Sequence, residues 1–80
     1  MSEPMDTNTK DVYVRLLNEG TLVLRPTRAI SCGTDMYQLL PTMNYDPDDE
    51  EWEFVPGTTV RCVCEFREGE ELLIANEKVG

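Results

Sequence analysis

From Asp11 onward the chain is a series of short apolar runs, alternating with polar positions and cut every few residues by turn formers. Val12, Val14 and Leu16 alternate with Tyr13, Arg15 and Leu17, a period of two that predicts a strand with three aliphatic side chains on one face. Asn18-Glu19-Gly20 breaks the pattern and supplies a glycine for a tight turn. Residues 21–25 predict a second strand. Pro26 cannot donate to a ladder, so it marks a bulge or a sheet edge before the strand resumes at residues 27–30. Cys32-Gly33-Thr34-Asp35 predicts another turn, and residues 36–40 a third strand. After a loop over residues 41–50, the alternation Glu51-Trp52-Glu53-Phe54-Val55 predicts a short strand with both aromatics facing the core, turned by Pro56-Gly57. Val60, Cys62, Cys64 and Phe66 share one face of the next strand, and Arg67-Glu68-Gly69-Glu70 closes a hairpin into residues 71–75.

Gly20, Pro26, Gly33 and Pro41 interrupt every stretch long enough to sustain a helix. The fold class expected is therefore all-β. A small sheet must dispose of its edges, and closing on itself does so, which predicts a small SH3-like barrel of five or six short antiparallel strands. Residues 1–10 are polar and aperiodic and predict a flexible tail. The barrel is expected over residues 11–76, with residues 77–80 frayed. Eighty residues make one domain, and a chain this short buries only about 60% of its unfolded surface.

Charge changes the picture more than composition does. The net charge is −9, and residues 29–60 carry seven acids and no lysine or arginine. Six of those acids fall within residues 46–53. Such a surface repels a phosphate backbone, which argues against direct nucleic-acid binding and favours a protein partner with a basic surface. No apolar run approaches the roughly 20 residues that span a bilayer, and the acidic start Met1-Ser2-Glu3-Pro4-Met5-Asp6, without an apolar stretch, is not expected to act as a secretory leader. Three cysteines and no histidine suit a reducing compartment, so the expected location is cytoplasmic.

Two segments carry resemblances. Val14-Arg15-Leu16-Leu17-Asn18-Glu19-Gly20-Thr21 followed by Arg25-Pro26-Thr27-Arg28-Ala29, with Trp52-Glu53-Phe54-Val55-Pro56-Gly57 downstream, resembles a group of small uncharacterised bacterial proteins. This resemblance implies a compact bacterial β-domain and carries over no site. Tyr45-Asp46 and the acids after it, running into Glu51-Trp52-Glu53-Phe54 and Gly57, are similar to the RT-loop and diverging-turn region of SH3 domains. There an acidic loop holds the basic residue of a proline-rich peptide beside an aromatic groove. The paired tryptophans and later groove aromatics of that pattern are missing here.

Each candidate chemistry meets a structural alternative. Cys62-Val63-Cys64 with Cys32 offers three thiols where structural zinc wants four ligands, so the cysteines read as small core residues and no metal site is assigned. Asp46, Asp48 and Glu50 alternate like calcium ligands but lack an EF-hand's glycine and closing glutamate. Ser2 and Ser31 have no histidine to activate them, and there is no phosphate-binding glycine loop, so neither catalytic residues nor a cofactor is expected. Trp52 and Phe54 read as core, while Tyr13, Tyr37 and Tyr45 are the surface aromatics. Arg25 and Arg28 flank Pro26 and are placed to pair with the acidic loop.

These readings converge on a non-enzymatic protein-binding or accessory domain with Tyr45, Asp46, Asp48, Asp49 and Glu50 as its binding residues. The alternative is a nucleic-acid-associated barrel of the OB or Sm-like kind, using Arg15, Arg25, Arg28 and Arg61 with Tyr13 or Tyr37, or else a barrel holding a small ligand. The edges of so small a barrel also offer a route to a homodimer.

Overall fold

The alternation read at the start of the barrel holds through β1 (Thr9–Leu17), whose Val12, Val14 and Leu16 are buried while Leu17 is exposed. The structure, a computed structural model, describes residues 9–42 and 45–79. β1 is followed by β2 (Leu24–Gly33), β3 (Met36–Leu39), β4 (Glu51–Trp52), β5 (Thr59–Arg67) and β6 (Glu70–Lys78). The strands lie in the order β2-β3-β5-β6-β1-β4, and β1 also pairs with β2, so five of the six strands close into a ring. The protein is a small all-β barrel. Its ring is antiparallel except at one seam, where Tyr13 of β1 sits parallel to Ile74 of β6.

The core lies inside this ring. Val12, Val14, Leu16, Ala29, Tyr37, Leu39, Trp52, Val60, Cys62 and Ala75 form one buried cluster, with Val23, Tyr45, Phe54 and Leu73 packed against it. Thr27 is buried among them and donates its hydroxyl to the Leu40 carbonyl, so it costs no unmade hydrogen bond. Trp52 is thus a core side chain, as its alternation with acids predicts, while Phe54 is partly buried at the margin of the core.

Several expectations are corrected. β2 starts at Leu24 rather than residue 21, because residues 18–21 are spent in the turn; there Asn18 and Gly20 both take positive φ. Pro26 makes no bulge: it stands in register opposite Tyr13. Leu16 donates to the Val23 carbonyl, so by alternation the Pro26 position does not bond to β1. Its missing N–H falls on the side where β3 no longer reaches, which is the sheet-edge case. The bulge of β2 lies instead between Ser31 and Gly33. The strand expected over residues 51–55 shrinks to Glu51–Trp52, since Glu53 donates to the Arg15 carbonyl and the chain then bends away. Thr9 and Lys10 belong to β1, paired with Ile30 and Ala29, and β6 runs on to Lys78 opposite Val60. The ordered barrel therefore extends past residues 11–76 at both ends. The remainder of the expected tail, residues 1–8, and Gly80 lie outside the described residues.

The largest departure is on β5. Val60 and Cys62 are buried, but Cys64 is exposed and Phe66 is 74% exposed. β3 is only four residues long, and its pairing with β5 ends at Met36 opposite Arg61. Beyond that point β5 and β6 run on as a two-stranded hairpin, and no strand among the described residues covers Cys64 and Phe66 on its inner face. Arg67 and Glu70 close it through Glu68 and Gly69, at φ 49° and 83°, the two positive values a type I′ turn requires.

The cysteines divide accordingly. Burial, with Asp35 and Cys64 nearby, pushes the Cys62 thiol up to about 11. Desolvation and the adjacent Glu71 carboxylate also raise Cys64. Because the thiolate is the nucleophile, a neutral-pH alkylation time course on the native protein should modify Cys32 first, Cys64 more slowly, and Cys62 only after denaturant is added. Native modification of Cys62 at the Cys32 rate would contradict this packing.

Candidate functional site

The acidic loop is held by its own backbone and by two neighbouring elements. Pro47 stiffens the turn, and the Asp46 side chain accepts from the Asp48 amide at 2.9 Å, while its carbonyl accepts from Asp49 and Glu50 at 2.9 and 3.0 Å. Asp46 is therefore a folding residue of the loop as well as a charge on it. Tyr45 packs edge-on against Trp52, ring centroids 4.8 Å apart at 68°, and joins the core margin.

Glu50 faces inward. It accepts from the Trp52 indole Nε1 at 3.0 Å and from the Arg25 Nε at 3.2 Å, and it forms a second bond with Arg25 Nη2. These bonds, the indole's first and the arginine's next, hold its carboxyl below the usual carboxylate range against the opposing effect of burial. The ionised form is thus favoured by folding. Its contribution is complete above the ordinary carboxylate range and is lost as pH falls through the depressed pKa. Melting temperature followed against pH for wild type and Glu50→Gln should show a gap that is constant near neutrality and narrows in acid. Parallel curves down to acid would contradict the assignment.

The other acids sort themselves by partner. Glu53 pairs with Arg15 at 3.3 Å, and Glu51 accepts from the Asn18 amide. Asp48 and Asp49 are exposed, and no cation pairs with either among the described residues. Opposite them stands the β1–β2 turn: Leu17, Asn18 and Glu19 face residues 47–51 across a shallow cleft. Glu19 thereby adds a carboxylate to the acidic rim, an approach not visible from its place in the sequence.

The arginines are committed. Besides Arg15 and Arg25, Arg28 pairs with Asp11 at 2.9 Å, Arg61 with Glu77 at 3.0 Å and Arg67 with Glu65 at 2.7 Å. Arg25 meets the acidic loop as its position suggests, whereas Arg28 turns to β1. Tyr37 is buried, and Tyr13 lies on the opposite, outer face of the barrel wall, so the two aromatics share no stacking surface. No group of three or more acids and cysteines among the described residues is arranged to hold a metal ion. No described helix is long and apolar enough to cross a membrane. In comparisons with known proteins, no family model, no curated protein and no solved structure matches the chain.

Proposed function

We propose that the protein is a non-enzymatic binding or accessory domain of the cytoplasm whose loop tip, Asp48 and Asp49, meets a basic surface on a protein partner. One observation carries this reading: the loop is fixed by Asp46, Glu50 and Trp52, yet its two exposed aspartates have no cationic partner among the described residues. A preorganised pair of unneutralised charges spends little ordering entropy on binding and steers a cationic partner towards it. Glu19 across the cleft extends the same negative field. The likeness to the acidic loop of SH3 domains points the same way, though only for its charged half. Trp52 is buried beneath Tyr45 and leaves no aromatic groove beside the loop.

The test is capture from a lysate on immobilised protein at low and at high salt. The reading requires at least one protein that is retained at low salt and released at high salt. Retention indifferent to salt, or none at all, contradicts it.

A further inference from the structure

We infer that the open edge of β5 pairs antiparallel with the same edge of a second copy of this chain, about a two-fold axis at Phe66. β5 is bonded along its whole length by β6, out to Arg67 opposite Glu70. On its other side β3 stops at Arg61, and the last bond across is from the Cys62 amide to the Asp35 carbonyl. Backbone groups alternate along a strand, so the N–H and C=O of Cys64 and Phe66 also face that side. No backbone partner meets them there among the described residues.

Such an edge is a template for another strand, and proteins that stay monomeric blunt theirs with proline, charged side chains or a bulge. Residues 63–67 contain no proline, and the irregularity in this hairpin lies earlier, between Arg61 and Cys62; their two charges, Glu65 and Arg67, are of opposite sign and so can complement a second copy of the same edge. Instead the edge carries Phe66 at 74% exposure.

The occupant follows from self-complementarity. Antiparallel pairing about Phe66 sets the two phenylalanines opposite one another and places Glu65 opposite the second copy's Arg67 at both ends, one aromatic and two charge-matched contacts of the kind that stabilise sheets. Pairing about Glu65 would set that carboxylate against itself. Pairing about Cys64 would drive the second copy into the β2–β3 turn, which already bonds to Cys62. Pairing about Arg67 would likewise oppose like charges, so the register about Phe66 is favoured, and it is isologous, as a two-fold dimer requires. In the single chain Glu65 and Arg67 pair along their own strand at 2.7 Å, both more than a third exposed, so the exchange to a crossed network gives up little.

Sedimentation equilibrium over a concentration series, with reductant present to exclude disulfides, tests the pairing. Wild type should rise from the mass of one chain towards that of two. Glu65→Arg alone and Arg67→Glu alone should each stay at one chain, because each sets like charges across the axis. An equimolar mixture of the two variants should regain the two-chain mass, since each altered charge then faces its complement. Within either variant's own strand the charges remain alike, so a purely intrachain role cannot produce this rescue. Wild type at one-chain mass throughout the series overturns the proposal with no variant needed. Variants that assemble as wild type does, or a mixture that stays at one chain, overturn it as well.

Discussion

Trp52→Ala is expected to remove about 3–5 kcal/mol of stability, the usual cost of emptying a buried aromatic site. A domain of this size has about 4–12 kcal/mol in total, so the variant should be largely unfolded at modest denaturant. Trp52 is only 3% exposed, yet it sits on a strand of two residues, paired through Leu16 to β1. The backbone of β4 contributes little by itself; the indole is what fastens this segment to the barrel. The same ring supports Tyr45 through its edge contact and donates to Glu50. Truncation therefore opens a cavity and releases the loop together. Trp52→Phe separates the two effects, keeping most of the packing and losing the hydrogen bond, so it should cost only ~1–3 kcal/mol. Urea unfolding of both variants measures this. A loss below ~1 kcal/mol for Trp52→Ala would mean that the barrel does not depend on β4.

The barrel was legible where the inward face of a strand is covered. β1 is flanked by β2 and by the β6 and β4 segments, so its two-residue period maps directly onto buried Val12, Val14 and Leu16. On β5 the same period continues through Cys64 and Phe66, and there it misleads. Alternation reports which side of a strand a residue lies on, but whether that side is covered depends on where β3 ends its pairing, at Met36, far earlier in the chain. Pro26 was legible as a sheet-edge residue for a chemical reason, its missing N–H, while the alternative of a bulge needed the register to be excluded.

The loop was legible as a density of charge and not as a division of labour. Nothing local distinguishes Glu50 from Asp49. What separates them is Arg25, brought in by β2, and the indole two residues on, which together neutralise one acid and leave its neighbour bare. Tyr45 likewise reads as an exposed phenol and proves to be a lid on Trp52. Of the five residues expected to bind, Asp48 and Asp49 are the pair that no fold-stabilising bond of their own side chains occupies among the described residues.

That division makes Asp48→Asn combined with Asp49→Asn the sharpest probe of function. Neither side chain supports the fold, so the double variant should keep the wild-type melting temperature to within the ~0.5 kcal/mol typical of surface changes. Its binding should fall steeply, because both charges that a basic partner would meet are gone. Loss of two close, preorganised carboxylates should weaken retention at low salt by about tenfold, equivalent to ~1.4 kcal/mol. Raising salt should erase the advantage of wild type, as the screening length contracts from about 10 Å at 0.1 M to about 3 Å at 1 M. The deciding measurement is therefore quantitative capture from one lysate on wild type and on the double variant, side by side at low and high salt. Proteins held by wild type at low salt should be lost both with salt and with the two substitutions. Equal capture by the two proteins at low salt would contradict this.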